Sequence, residues 1–252
     1  MSEKKNKEVE DLQRELKKLQ LFVSSQWIFW TNALHNLKNQ FTTVNSYAEL
    51  LNTEGISEAK RKMLVGKISE GCYTLTNYLW EMLCISRVNS NLSSPDPKVF
   101  NISRLVSETL GMNEGHSFDK DIKLKNLISE QQEVYADYDM IYNVMNNLIG
   151  NALKFTPNGG SVEVSGDVME GGMFQVRVKD SGVGIDLEKF DMMMRDNKSF
   201  TTKGTNGEAG TGLGLLICRA FVTENHGKFW AERNAEGGST LSFTVPVSGR
   251  PM

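Results

Sequence analysis

Asn147 and Asn151 lie four positions apart in the run Asn147-Leu-Ile-Gly-Asn151-Ala-Leu-Lys154-Phe155-Thr156. On a helix the two amides share a face and can turn oxygens towards a hard cation. Further on, Asp180-Ser-Gly182-Val-Gly184-Ile185 sets one carboxylate beside two glycines. A carboxylate accepts a hydrogen bond from an adenine amino group, and bare glycines let the backbone approach a ring. A third run, Gly210-Thr211-Gly212-Leu213-Gly214-Leu215, opens an apolar helix. Its N–H groups can face phosphates at a helix N-terminus. The three runs supply, in one order, what a magnesium nucleotide needs, and they point to ATP.

These runs need elements to hold them. After Asn91-Leu-Ser-Ser-Pro-Asp-Pro97, the best domain boundary in the chain, the pattern is mixed α and β. Strands are expected over Ile122–Ile128, Ser161–Val168, Phe174–Asp180, Lys228–Glu232 and Thr240–Pro246. Helices are expected over Ser103–Met112, Asp137–Lys154 and Leu213–Asn225. Turns at Glu170-Gly-Gly172 and Glu236-Gly-Gly238 join neighbouring strands. The result is an α+β layered domain, an open sheet with helices on one face. Residues 186–211 read as an irregular segment suited to a mobile lid.

The first ninety residues read as helical. Val9, Leu12, Leu16 and Leu19 recur at coiled-coil spacing over residues 1–22. The pattern continues through Trp27, Trp30, Leu34, Leu37, Phe41 and Val44 to Leu51. It breaks at Asn52-Thr-Glu-Gly55 and resumes behind a Ser57 cap, from Met63 to Val88. A first helix from about residue 8 to 52 would be roughly 65 Å long at ~1.5 Å per residue, and a hairpin built on it cannot bury both its apolar stripes alone. Two copies forming a four-helix bundle can, so residues 23–92 are expected to dimerise and residues 93–252 to form the nucleotide domain.

At 252 residues the chain has room for one or two domains, and its charge of −3 offers no basic footprint for nucleic acid. Cys72, Cys84 and Cys218 sit in apolar helical patterns without metal-ligand spacing. Reduced core cysteines, as in a cytoplasmic protein, are expected. No run approaches eighteen apolar residues, so no membrane segment is expected in this chain.

The order of motifs resembles the catalytic domain of sensor histidine kinases, within the GHKL ATPase superfamily, over about residues 97–247. It includes an asparagine box (Asn147, Asn151, Lys154) and a first glycine box (Asp180, Gly182, Gly184). A phenylalanine box (Phe200-Thr-Thr-Lys203-Gly204) and a second glycine box (Gly210, Thr211, Gly212, Leu213, Gly214) follow. The resemblance implies an α/β sandwich ATP-binding domain of the GHKL type behind a dimeric helical hairpin. It implies that Asn151, with Asn147 beside it, holds Mg²⁺ and that Lys154 neutralises phosphate charge. Asp180 would read the adenine amino group, with Thr240 helping through water, and the glycines would let the lid close.

The same resemblance singles out His35, within Leu34-His35-Asn36-Leu37-Lys38-Asn39, as the phospho-accepting histidine. Neutral imidazole is a good nucleophile near pH 7, and a rigid helix can present it to a mobile ATP domain. His116 is expected in a polar loop, and His226-Gly227 suits a helix end. Where the family carries Glu or Asp after the histidine, this chain has Asn36, an amide that can hold an imidazole but cannot usefully take its proton. Asn39 matches the family's Thr/Asn that orients water for dephosphorylating a partner receiver. The leading expectation is an ATP-dependent protein-histidine kinase that phosphorylates His35 and then an aspartate of a response regulator. The alternatives are a phosphatase-biased scaffold with a weak kinase step, favoured by Asn36, and another GHKL ATPase, opposed by the hairpin and His35.

Overall fold

A computed structural model describes residues 13–14, 16–17, 30–31, 34–53, 55–90, 95–196, 200, 202–208, 210 and 212–247; at 73, 77, 80–81 and 84–90 it describes the backbone alone. The coiled-coil seam over 1–22 lies mostly outside these residues, as do Trp27, Asn91–Ser94, Thr201 and Thr211. The chain divides into two compact units, residues 1–83 and 84–252.

The first unit is a helical hairpin. Helix α1 covers residues 34–51, and α2 covers Glu58–Ser90. Gly55, at φ +77, makes the reversal in a conformation open mainly to glycine. Ser57 Oγ then accepts the Lys60 N–H at 3.3 Å, the expected cap. Leu64, Leu75, Tyr78 and Met82 of α2 are buried, facing the half-buried Leu37, Val44, Tyr47 and Leu51 of α1. A Cβ on Gly71 would collide with Val44 Cγ2, so the two helices are in close contact there. A second apolar row stays exposed: Leu34 and Phe41 on α1, and Val65, Cys72, Leu79 and Leu83 on α2. Steps of three, four, seven and eleven residues keep each row on one face. Cys72 is therefore not a core residue of this chain, in contrast to Cys218, which is buried.

The second unit has the expected α+β architecture. A two-stranded antiparallel ribbon pairs β1 (Pro97–Asn101) with β3 (Glu133–Asp137). The main sheet has the order β2-β4-β5-β7-β6, from β2 (Lys123–Asn126), β4 (Ser161–Met169), β5 (Met173–Asp180), β6 (Phe229–Arg233) and β7 (Ser239–Pro246). Only β2 and β4 run parallel. Val162, Val164, Phe174, Val176, Val178, Leu241, Phe243 and Val245 alternate onto one buried face. Against it pack α3 (Ile102–Met112), α5 (Tyr138–Phe155) and α7 (Gly214–Glu224).

Four elements depart from the sequence reading: β1, β3, α4 (Glu114–Asp119, containing His116) and α6 (Leu187–Asp196). The last removes ten residues from the expected irregular segment. Asp186 Oδ1 accepts the Lys189 N–H, and Phe190 and Met193 are buried, with Phe190 edge-on to Phe229 at 5.8 Å. Asp137 does double duty at the start of α5. Its Oδ1 caps the helix at Met140 N–H (3.0 Å), and its Oδ2 takes the Asp96 N–H (3.0 Å). Among the described residues no helix is long and apolar enough to cross a membrane.

Candidate functional site

Helix α5 buries Ile141, Val144, Met145, Leu148, Ile149, Ala152 and Leu153, so its other side carries the half-buried Asn147, Asn151 and Lys154 in one row. Asn147 Nδ2 donates to the Asn143 carbonyl at 3.1 Å, leaving Oδ1 as its outward acceptor. Asn151 spends neither amide atom on a hydrogen bond to the described residues. Burial holds the Lys154 ammonium below the ordinary lysine range, while the charge of Glu208 pulls the other way. Its Nζ lies 4.9 Å from the Phe155 ring centroid. A Cβ on Gly210 would strike that ammonium, so the first glycine of the second glycine box sits directly on Lys154.

Asp180 ends β5 and is 5% exposed. Gly182 N–H (2.8 Å) and Ser239 N–H (3.2 Å) both donate to its Oδ1. Burial raises its pKa above the usual aspartate value, and these donors oppose that rise. Gly182 and Gly238 are required by contact, since a Cβ would strike the Phe155 carbonyl at the first and the Asp180 carbonyl at the second. Gly184 and Gly238 both have φ +83. The carboxylate is thus held in a dry corner whose walls are backbone.

Thr240 is not part of this corner. Strand alternation puts Asp180 on the helix-facing side of the sheet and Thr240, paired with Lys179, on the other. The Thr240 hydroxyl donates instead to Asn234 Oδ1 at 2.7 Å, and Asn234 Nδ2 donates to the Asp180 carbonyl at 3.2 Å. Ser239, one residue earlier, is the neighbour whose backbone and hydroxyl reach the carboxylate. The sequence held the signal: a period of two from the buried Leu241, Phe243 and Val245 assigns Ser239, not Thr240, to that face.

The start of α7 has no side-chain cap, and Gly212 before it has φ +75. Leu213 is buried and anchors the turn. Lys203 and Gly210 are exposed, and Thr211 lies outside the described residues. His226 has φ +59 at the end of α7, where its N–H bonds to the Thr223 carbonyl (2.9 Å); it is a helix terminator.

On the hairpin, His35 is exposed. Its Nδ1 lies 3.3 Å from Asn39 Nδ2, one turn on. Asn36 turns to the other helix, donating from Nδ2 to the hydroxyl of the buried Tyr78 at 3.0 Å. The position where the family carries its acid, though exposed, is therefore engaged by the facing helix, and the amide beside the imidazole is Asn39.

Residues 136–249 match the family of histidine kinase-, DNA gyrase B- and HSP90-like ATPases. The sensor histidine kinase WalK of Bacillus subtilis (strain 168) is 34% identical over 228 residues, which make up 86% of this chain and 36% of WalK. This chain thus spans about a third of that relative's length. The histidine kinase AdeS of Acinetobacter baumannii shares the fold with a TM-score of 0.66 over 85% of this chain and 98% of AdeS, at 19% identity. ThkA, solved in complex with the response regulator TrrA, gives 0.65 over 86% of this chain and 60% of ThkA, at 22% identity. A helical hairpin, a sheet layered with the asparagine helix, a buried aspartate among glycines and this kinship place the chain in the sensor histidine kinase family.

Proposed function

We propose that this chain is a kinase core that binds Mg-ATP on its second unit, phosphorylates itself on His35, and passes the phosphoryl group to an aspartate of a response-regulator receiver domain. The single observation carrying this reading is the pairing of the Asp180 corner with the α5 row of Asn147, Asn151 and Lys154 in one compact unit. Asp180 would accept from the adenine amino group beside Ser239, and Lys154 with the uncapped start of α7 would take the phosphates. The residues fit a hard cation that arrives with phosphates: Asn151 and Asn147 can offer amide oxygens. Among the described residues no cluster of three His, Cys, Asp or Glu could hold a metal alone. Mg²⁺ held there would supply positive charge to the phosphates.

In the transfer, Nε2 of neutral His35 attacks the γ-phosphorus. The β–γ bridging P–O bond breaks and its electron pair leaves on ADP. The Nδ1 proton passes to solvent: the amide beside it is that of Asn39, whose Nδ2 stands 3.3 Å away. Asn39 would have to turn its oxygen there to hold the proton, and an amide cannot take it. ATP supply makes this a cytoplasmic reaction. The exposed row of Leu34, Phe41, Val65, Leu79 and Leu83 is the surface on which a second copy would complete a four-helix bundle. The domain plan that follows is a signalling coiled coil over 1–22, a dimerisation and phosphotransfer hairpin over 23–92, and a catalytic domain over 93–252.

The Asn36–Tyr78 bond favours a second reading, a receiver-binding regulator with a slow kinase step. Purified protein incubated with γ-labelled ATP and Mg²⁺ decides between them. Acid-labile, base-stable label that disappears in His35→Gln supports the autokinase. Bound nucleotide without label, with accelerated dephosphorylation of a phosphorylated receiver, supports the regulator.

A further inference from the structure

Lys120 belongs to none of the motifs, yet its side chain is 7% exposed and fully engaged. Nζ donates to the Leu153 carbonyl (2.9 Å) and the Lys154 carbonyl (3.1 Å), the open oxygens at the end of α5. It also donates to Thr205 Oγ1 (2.8 Å) and pairs with Glu208 Oε1 (2.8 Å), both from the loop that precedes the second glycine box. Thr205 closes the same junction by donating to the carbonyls of Lys154 and Thr156, each at 3.1 Å. The other oxygen of Glu208 takes the Asn206 N–H at 2.8 Å.

Glu208 and Lys154 flank one glycine. A Cβ on Gly204 would strike both Glu208 Oε2 and Lys154 Cγ, and the charge of Glu208 is felt at the Lys154 ammonium. Even so, Lys154 forms no ion pair among the described residues. The carboxylate is held by the other, deeper lysine. Glu208, whose side chain is 35% exposed, would without that partner turn to Lys154, the other ammonium that feels its charge.

We propose that Lys120 is a positioning residue for the phosphate end of the nucleotide site: it occupies Glu208 and so leaves the Lys154 ammonium available to a phosphate. This rests on the nucleotide reading above for its consequence, but not for its first test. The full chain is compared as the unmodified protein, Lys120→Gln, Lys120→Arg and Lys120→Gln/Glu208→Gln. Lys120→Gln keeps donors for the two carbonyls while removing the charge.

The first readout is the titration of the Lys154 side chain followed by ¹³C and ¹⁵N resonances, with no nucleotide present. It should rise in Lys120→Gln, as Glu208 swings to Lys154, and fall back in the double variant and in Lys120→Arg. The second readout is affinity for Mg-ATP and for adenosine. Lys120→Gln should lose about tenfold or more for Mg-ATP, and the double variant should regain most of it. Adenosine, lacking phosphates, should bind all four proteins alike. An unchanged Lys154 titration in Lys120→Gln overturns the proposal whatever the nucleotide data say. Equal losses for ATP and adenosine overturn it too, leaving Lys120 a structural plug. Folded, unmodified protein that ignores Mg-ATP refutes the nucleotide reading alone, because the titration still decides the role of Lys120.

Discussion

Replacing Asn36 by Asp restores the acid that related kinases carry beside their histidine, and the hairpin predicts that the restoration largely fails. Asn36 Nδ2 donates to the Tyr78 hydroxyl at 3.0 Å, and Tyr78 is only 4% exposed. An aspartate in the same place cannot donate, but the tyrosine hydroxyl can turn its proton towards the carboxylate. A hydrogen bond to a charged group is worth about 1.5–3 kcal/mol net. That favours the Tyr78-facing side-chain conformation over one facing His35 by a factor of roughly 10–150. A well-placed base accelerates proton transfer by about 10²–10⁴, and the introduced carboxylate would be in place for only a small part of the time. The double variant Asn36→Asp/Tyr78→Phe removes the competitor. Its initial rate of acid-labile labelling from γ-labelled ATP should therefore exceed that of Asn36→Asp by about one to two orders of magnitude. Equal rates for the single and double variants, both well above the unmodified protein, would refute the argument and show that Tyr78 does not hold position 36.

Three further outcomes follow from the second unit and the hairpin. Asp180 must be ionised to accept from an adenine amino group, and burial raises its pKa, so nucleotide affinity should begin to fall on acidification above the ordinary aspartate range. Asp180→Asn should cost about 10–150-fold in affinity and abolish that acid limb in calorimetric titrations; an unchanged limb would exonerate Asp180. The free protein should respond with the opposite sign. A carboxyl with a raised folded pKa adds stability below its unfolded pKa and loses it as pH rises through the folded value, so melting curves without nucleotide should show a gain from acid that Asp180→Asn lacks. Gly71→Ala should destabilise the hairpin by about 1–3 kcal/mol through collision with Val44, visible in the denaturant midpoint. Val44→Ala in the same chain should return part of that loss, and no recovery would mean the helices do not touch there.

Much of the fold was readable because its signals are local. The five strands of the main sheet lie within a few residues of their expected positions, since alternation and the two glycine turns are short-range patterns. Asn147 and Asn151 share a face because helical spacing dictates it. The ribbon of β1 and β3 was hidden because five residues opening on Pro97 read as the tail of a linker, and their stability comes from each other. Helix α6 was hidden among methionines and charges, although the buried Phe190 and Met193 lie three residues apart on its inner face. Thr240 was misplaced by one residue, which on a strand is the difference between two faces. Tyr78 lies 42 positions from Asn36, and Lys120 meets acceptors 34 and 85 positions away. Such partnerships exist only once the chain has closed, and no window of sequence contains them.

Asp137 gives the nucleotide unit a mechanical property. One carboxylate grips the first turn of α5 and the backbone just before β1, while the Asp137 N–H is itself fastened to Asn225 Oδ1 beyond α7 at 2.7 Å. The strand that opens the unit and the helix bearing the amide row are therefore coupled like two levers on one pin. A displacement of the backbone at Asp96 is thus passed to the first turn of α5 through a single side chain.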